Sequence, residues 1–276
     1  MRLASIHTYP VKSCHRLDHD DAVVEPWGLA GDRRWLVVEP DGTFITQRAE
    51  PALALVQPSH TGEGGLLLRT PGMPDLDVPA PAGGDLMAVR VWRSTVDATP
   101  AGSAADDWLS TLLDRKVRLV YLDDPTRRSP DQKYARPGDR VSFADGYPLL
   151  LANSASLDAV NDWLVEAGEE PVPMTRFRPN VVVGGAPAWA EDEWLGRRIR
   201  VGEVAFRVAK PCGRCVMTTI DQETAERGRQ PLRVLGRRRR FAAGLLFGVN
   251  LIPDRTGTIA VGDPVEVDAP AVAGDA

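Results

Sequence analysis

Residues 1–122 are a succession of short segments in which apolar and polar positions alternate, cut at close spacing by turn residues. A period of two puts the apolar side chains on one face of a pleated strand, so such a chain folds into sheets. Strands are predicted at Arg2–Thr8, Arg34–Glu39, Ala52–Val56, Leu66–Arg69, Met87–Trp92 and Val117–Leu122, with Asp41-Gly42 as a hairpin turn. One helix interrupts them at Ala104–Leu113, where Trp108, Leu109 and Leu112 share a face.

From Asp123 to Asp139 the chain is polar and carries Pro125, Pro130 and Pro137, as a linker or a long crossing loop does. Beyond it Leu149–Ala152 reads as a buried strand. A helix follows, capped by Asn153 or Ser154, lined by Leu157, Val160 and Leu164, and stopped at Gly168. Val181–Val183, Ile199–Val208 and Thr258–Val267 return to strand character. The expected fold is mainly β (α+β), barrel-like in both parts. Its division is an N-terminal module over 1–122, a second domain over 123–267, and a disordered tail over 268–276.

A formal net charge of −5 argues against a general nucleic-acid binder, although 29 of the 33 basic residues are arginine and supply many anion-binding forks. Three cysteines, an odd number, point to a reducing compartment and not to a disulfide scaffold. The N-terminus lacks a secretory apolar stretch, and no run approaches the roughly 18–20 apolar residues of a membrane span. These features predict a cytoplasmic protein with no nucleic-acid or membrane partner.

The sharpest local feature is Lys210-Pro211-Cys212-Gly213-Arg214-Cys215-Val216-Met217-Thr218-Thr219-Ile220. A thioredoxin-like pair needs a helix N-terminus at its first cysteine, and the β-branched run after Cys215 disfavours one. A structural zinc site needs four ligands, for which Cys14, His15 and His19 are the available additions to Cys212 and Cys215. The bland alternative is two small thiols packed in a strand turn. The remaining alternative is one soft thiolate ligand to a metal already held by sulfur, with Arg214 beside it favouring the charged form. Spacing does not choose among these.

The wider pattern does. Tyr9-Pro10-Val11-Lys12-Ser13-Cys14 and Gly31-Asp32-Arg33-Arg34-Trp35 resemble the N-terminal β-barrel module of MOSC-domain proteins. Asp145-Gly146-Tyr147-Pro148-Leu149-Leu150-Leu151, Arg176-Phe177-Arg178-Pro179-Asn180, the Cys212–Ile220 segment, Phe247-Gly248 and Val261-Gly262-Asp263-Pro264-Val265 resemble the MOSC domain itself. The match runs in order over residues 1–267, and within the family it is similar to the mitochondrial amidoxime-reducing components and their bacterial counterparts.

The resemblance implies a molybdenum cofactor (molybdopterin), with a dithiolene on the metal and a phosphate at the far end. It implies Cys215 as the metal ligand and catalytic residue, with Cys212 as the fallback. Lys12 and Ser13 match residues at the phosphate end, and Arg33, Arg178, Asn180 and Arg214 match further cofactor contacts. Gly146 stands where the amidoxime reductases carry a hydroxyl residue. The implied reaction is reduction of a small N-hydroxylated substrate. Nothing here resembles a fused ferredoxin or a pyridoxal-phosphate domain, so electrons are expected from a separate ferredoxin, flavoprotein or cytochrome. A cofactor carrier or insertion protein without turnover is the alternative. The run Arg237–Arg240 is either a solvated face or a dock for an acidic electron donor.

Overall fold

A computed structural model describes residues 1–269. Its largest sheet joins both ends of the chain. In spatial order its strands are Val265–Val267, Arg198–Val201, Val204–Gly213, Gly244–Pro253, Leu149–Asn153, Val181–Gly184, Arg2–Thr8 and Leu17–His19, with Arg240–Phe241 hydrogen-bonded to Gly244–Pro253. The one parallel pair in it, Leu149–Asn153 beside Val181–Gly184, is bridged by helix α2 (Ser154–Glu166), the crossover that parallel neighbours require. Asn153 ends its strand and caps α2, its side-chain oxygen accepting from the Ala155 N–H at 3.1 Å. The other helices are α1 (Ser103–Leu113) and α3 (Leu232–Arg238).

The N-terminal half adds a four-stranded sheet ordered Trp35–Val38, Arg118–Tyr121, Ser94–Pro100, Met87–Val91, and a meander of Gln57–His60, Leu66–Arg69 and Leu76–Val78. Buried Val11, Trp35, Leu53, Leu66, Trp108 and Leu119 form its core, against which α1 packs. The fold is α+β and mainly β. Yet the first strand does not stay with its own half: Arg2–Thr8 pairs with Val181–Gly184, and Asp21–Glu25 pairs with Gly257–Ala260. The hydrogen-bonded network therefore crosses any cut near residue 122.

Several local expectations are corrected. Ala52–Val56 is not a strand: with Pro51 in the first turn, Pro51–Leu55 winds into a 3-10 helix closed by Leu53 N–H to Glu50 O at 3.1 Å. Ile199–Val208 is a hairpin broken at Gly202, whose φ of 56° suits a turn. Thr258–Val267 is likewise two strands, Gly257–Ala260 and Val265–Val267. Of the two alternatives for 123–139, the structure has the long crossing loop, anchored where Pro125, Arg128 and Pro130 are buried. The tail expected from 268 falls outside the described residues from 270 onward, while Asp268 still donates its N–H to Arg198 O at 2.9 Å. No described helix is long and apolar enough to cross a membrane.

Candidate functional site

A cleft of about 630 Å³, counting space open to solvent, lies where the large sheet meets the N-terminal half. Lys12, Ser13, Arg33, Asp145, Arg178 and Arg214 stand along it, with Asn180, Cys212 and Gly146. Four basic side chains thus face one carboxylate, an arrangement suited to an anion.

Each basic group is delivered by a strained or tightly held piece of backbone. Ser13, Arg33 and Arg178 all adopt positive φ, at 72°, 49° and 54°. For residues with a Cβ such a conformation costs energy and persists only where the surroundings impose it, commonly at functional sites. Lys12 follows the first strand and is fixed by its N–H to Trp35 O at 2.9 Å. Its ammonium donates to Phe143 O at 2.8 Å and to Asp145 Oδ1 at 2.5 Å. Burial pushes the Lys12 pKa down to about 8, against the pull of Asp145. For Asp145, desolvation works upward, but the Lys12 ammonium, the Trp92 indole N–H at 3.1 Å and nearby Arg48 prevail and hold the carboxyl well below the usual range. Its side chain is nonetheless 58% exposed to the cleft mouth.

Tyr9 organises the two central arginines. Its ring takes the guanidiniums of Arg178, 4.1 Å from the centroid, and Arg33, at 4.5 Å, and its hydroxyl donates to Pro179 O at 3.1 Å. Arg178 donates to Gln222 Oε1 and Cys14 O, both at 2.8 Å. Burial lowers its pKa to about 10, still far above neutrality. Arg33 donates to buried Asp32 Oδ2 at 2.5 Å and to Asn180 Oδ1 at 3.0 Å. The Asn180 amide is otherwise engaged with Leu150 N–H and His7 O, so it braces Arg33 from within the scaffold.

The two cysteines of the loop differ. Cys212 lines the cleft, half-buried, and receives Arg214 Nη1 at 2.9 Å. Arg214 also donates to Phe177 O at 2.7 Å. Cys215 is exposed at the start of a 3-10 turn, Val216–Thr219, outside the residues lining the cleft, and its sulfur has no hydrogen-bond partner among the described residues. Cys14 is fully buried, and burial drives its thiol pKa up to about 12. Among the described residues no group of three or more His, Cys, Asp or Glu converges on a metal position, so the zinc set Cys14, His15, His19, Cys212 and Cys215 does not assemble.

Sequence reasoning missed Asp145 as a partner of Lys12, Tyr9 as the ring that two arginines share, and Arg128. Arg128 donates to Ser142 O, to Ala144 O at 2.6 Å and to Asp145 O at 2.9 Å, clamping the loop that carries Asp145. Tyr9 and Asp145 lie inside motifs already singled out, but nothing in the polar segment flags Arg128. A Ser5, His7, Asp18 row, at 2.9 and 2.6 Å, lies outside the cleft and fastens the Arg2–Thr8 and Leu17–His19 strands together.

Two family patterns cover most of the chain: the MOSC N-terminal beta barrel domain matches residues 1–116 and the MOSC domain matches residues 138–266. Mitochondrial amidoxime-reducing component 1 of Homo sapiens is 32% identical over 282 residues, spanning 95% of this chain and 82% of its own length. The chain belongs to the MOSC family. Component 1 of Mus musculus is 34% identical, with 95% and 81% covered, and component 2 of Homo sapiens is 31% identical, with 95% and 82% covered. In this MOSC protein Lys12, Ser13 and Arg33 come from the first matched domain and Arg178, Cys212 and Arg214 from the second, so the cleft is a joint product.

Proposed function

We propose that the cleft binds a molybdenum cofactor (molybdopterin) and that the protein reduces N-hydroxylated compounds with electrons from a separate donor. The observation that carries this reading is the convergence of Lys12, Arg33, Arg178 and Arg214 on one cleft that Cys212 lines, in the loop that also carries the free Cys215. The names of the relatives, amidoxime-reducing components, support a reductase.

The residues present fit such a group. Ser13 Oγ and Arg214 Nε are buried without a partner, and an unpaired buried donor costs about 1–3 kcal/mol. A phosphate brings close to two negative charges and several acceptor oxygens, which would satisfy Ser13 and balance Lys12 and Arg178. Cys215, whose sulfur is exposed and unengaged, is the proposed thiolate ligand and catalytic residue. Cys212, which lines the cleft and receives Arg214 Nη1 at its sulfur, is the second candidate. Arg33 and Arg214 hold the middle of the group, and Asn180 acts by fixing Arg33.

When bound, the cofactor supplies a two-electron centre for reductive cleavage of an N–O bond. The overall change is R–NH–OH + 2e⁻ + 2H⁺ → R–NH2 + H2O. Asp145, held well below the usual carboxylate range, is unsuited to be the acid, and among the described residues no histidine lines the cleft.

Expression in a host that makes the cofactor tests the proposal. About one molybdenum per chain is expected, lost in Cys215→Ser, together with turnover of a hydroxylamine by a chemical reductant. Metal-free protein, or full activity in Cys215→Ser, would sink it. Tight cofactor retention without turnover would make the protein a carrier.

A further inference from the structure

Seven arginines and no acidic residue lie between Arg227 and Pro253, in a chain whose net charge is −5. Two of the seven have carboxylate partners. Arg239 is buried, pairs with Asp192 at 2.5 Å and stacks on Trp189, and Arg238 pairs with Glu166 at 2.8 Å. The others are exposed, and none has a carboxylate partner among the described residues. Arg233 and Arg237 stand one turn apart on α3, where like charges repel.

The position of this arc gives it a use. Helix α3 packs on the Val216–Thr219 turn that follows Cys215. It leads into a hairpin in which Arg240 pairs with Leu245 and Phe241 with Gly244. That hairpin borders the cysteine loop, since Arg214 N–H donates to Leu245 O at 2.7 Å and Gly213 pairs with Leu246. Two apolar side chains stand exposed here, Val216 at 54% and Phe241 at 45%. An apolar centre with a charged rim is the anatomy of a protein interface.

We propose that Arg233, Arg237 and Arg240, with Phe241 and Val216, form the docking surface for the acidic face of an electron-carrying protein, which approaches the centre from the Cys215 side. This rests on the reductase reading above and names where its donor binds. Charge complementarity selects the occupant: an acidic face turns the repulsion within the arc into attraction and steers encounter. A one-electron carrier docks twice per turnover, each visit oxidising one carrier molecule. Protein is favoured over nucleic acid by the exposed Phe241 and Val216 and by the negative charge of the whole chain.

The test compares wild type, R233E/R237E/R240E and R233K/R237K/R240K, all loaded with cofactor. Binding to three purified acid-surfaced carriers is measured: a two-iron ferredoxin, a flavodoxin and a soluble cytochrome b5 domain. At least one should bind wild type with an affinity that falls as salt rises, weaken about tenfold or more with the glutamate variant, and keep most of its affinity for the lysine variant. Turnover driven by a small chemical reductant should be equal in all three proteins. Failure of every carrier to bind overturns the proposal, as does equal binding by the glutamate variant. Salt-sensitive binding of duplex DNA that matches or exceeds the carriers also overturns it. Absence of turnover with the chemical reductant would sink the reductase reading alone, because the binding measurement stands independently.

Discussion

Burial holds the Lys12 pKa at about 8 in the folded chain, below the ordinary value of 10.5. Below pH 8 the ammonium is charged in both folded and unfolded states, and the burial penalty is full. As pH rises from about 8 toward 10.5 the unfolded chain retains a proton the folded one releases, so Lys12 contributes increasing stability. Anion binding runs the other way. The affinity of cofactor-free protein for pyrophosphate, measured by calorimetry, should fall as pH rises through 8, and Lys12→Arg should flatten that step. Asp145→Asn should lower the urea midpoint by the equivalent of about 1–2 kcal/mol, discounted from a fully buried pair because Asp145 is open to solvent. A Cβ at Gly146 would meet nothing within 4 Å, so Gly146→Ser should change stability by less than about 0.5 kcal/mol while adding a hydroxyl to the cleft. Slower loss of cofactor on dialysis is the readout. Lys12, Ser13, Arg33, Arg178 and Arg214 were legible because the family motifs contain them. Their partners were not, because a pairing such as Lys12 with Asp145 spans 133 positions that no local pattern connects.

Elements with clean alternation were readable to the residue: Arg2–Thr8 and Leu66–Arg69 form as the pattern predicts. The longest miss is Gly244–Pro253, a ten-residue strand at the heart of the large sheet. Glycine and asparagine break its apolar run, which obscures the period. Gly248 has a reason to be there: at φ 74° it sits where pairing with the cysteine strand shifts register between Pro211 and Gly213. A Cβ at that position would stand 2.5 Å from Leu151 O. Gly248→Ala should therefore destabilise by more than about 1 kcal/mol, read from denaturant unfolding, and disturb the placement of Cys212. The 3-10 turn at Pro51–Leu55 was misread because Ala-Leu alternation serves a short turn as well as a strand.

At the scale of the whole molecule, the two matched family domains are not two independent hydrogen-bonded bodies. Residues 138–266 expressed alone would lack Arg2–Thr8 and expose the edge of Val181–Gly184, an aggregation-prone surface. Such a fragment should aggregate or lose cooperative melting by circular dichroism, and a peptide of residues 1–20 should restore solubility. This interleaving was invisible in composition and local pattern, both of which placed a boundary near residue 122. It also dictates timing. Lys12 leaves the ribosome about 200 positions before Arg214, and Asp21–Glu25 must wait for Gly257–Ala260 to find its hydrogen-bonding partner. Nascent chains that stall before Arg214 and Gly257–Ala260 have been made therefore hold no finished cleft, so an anionic guest finds its full set of charges only after both segments have emerged.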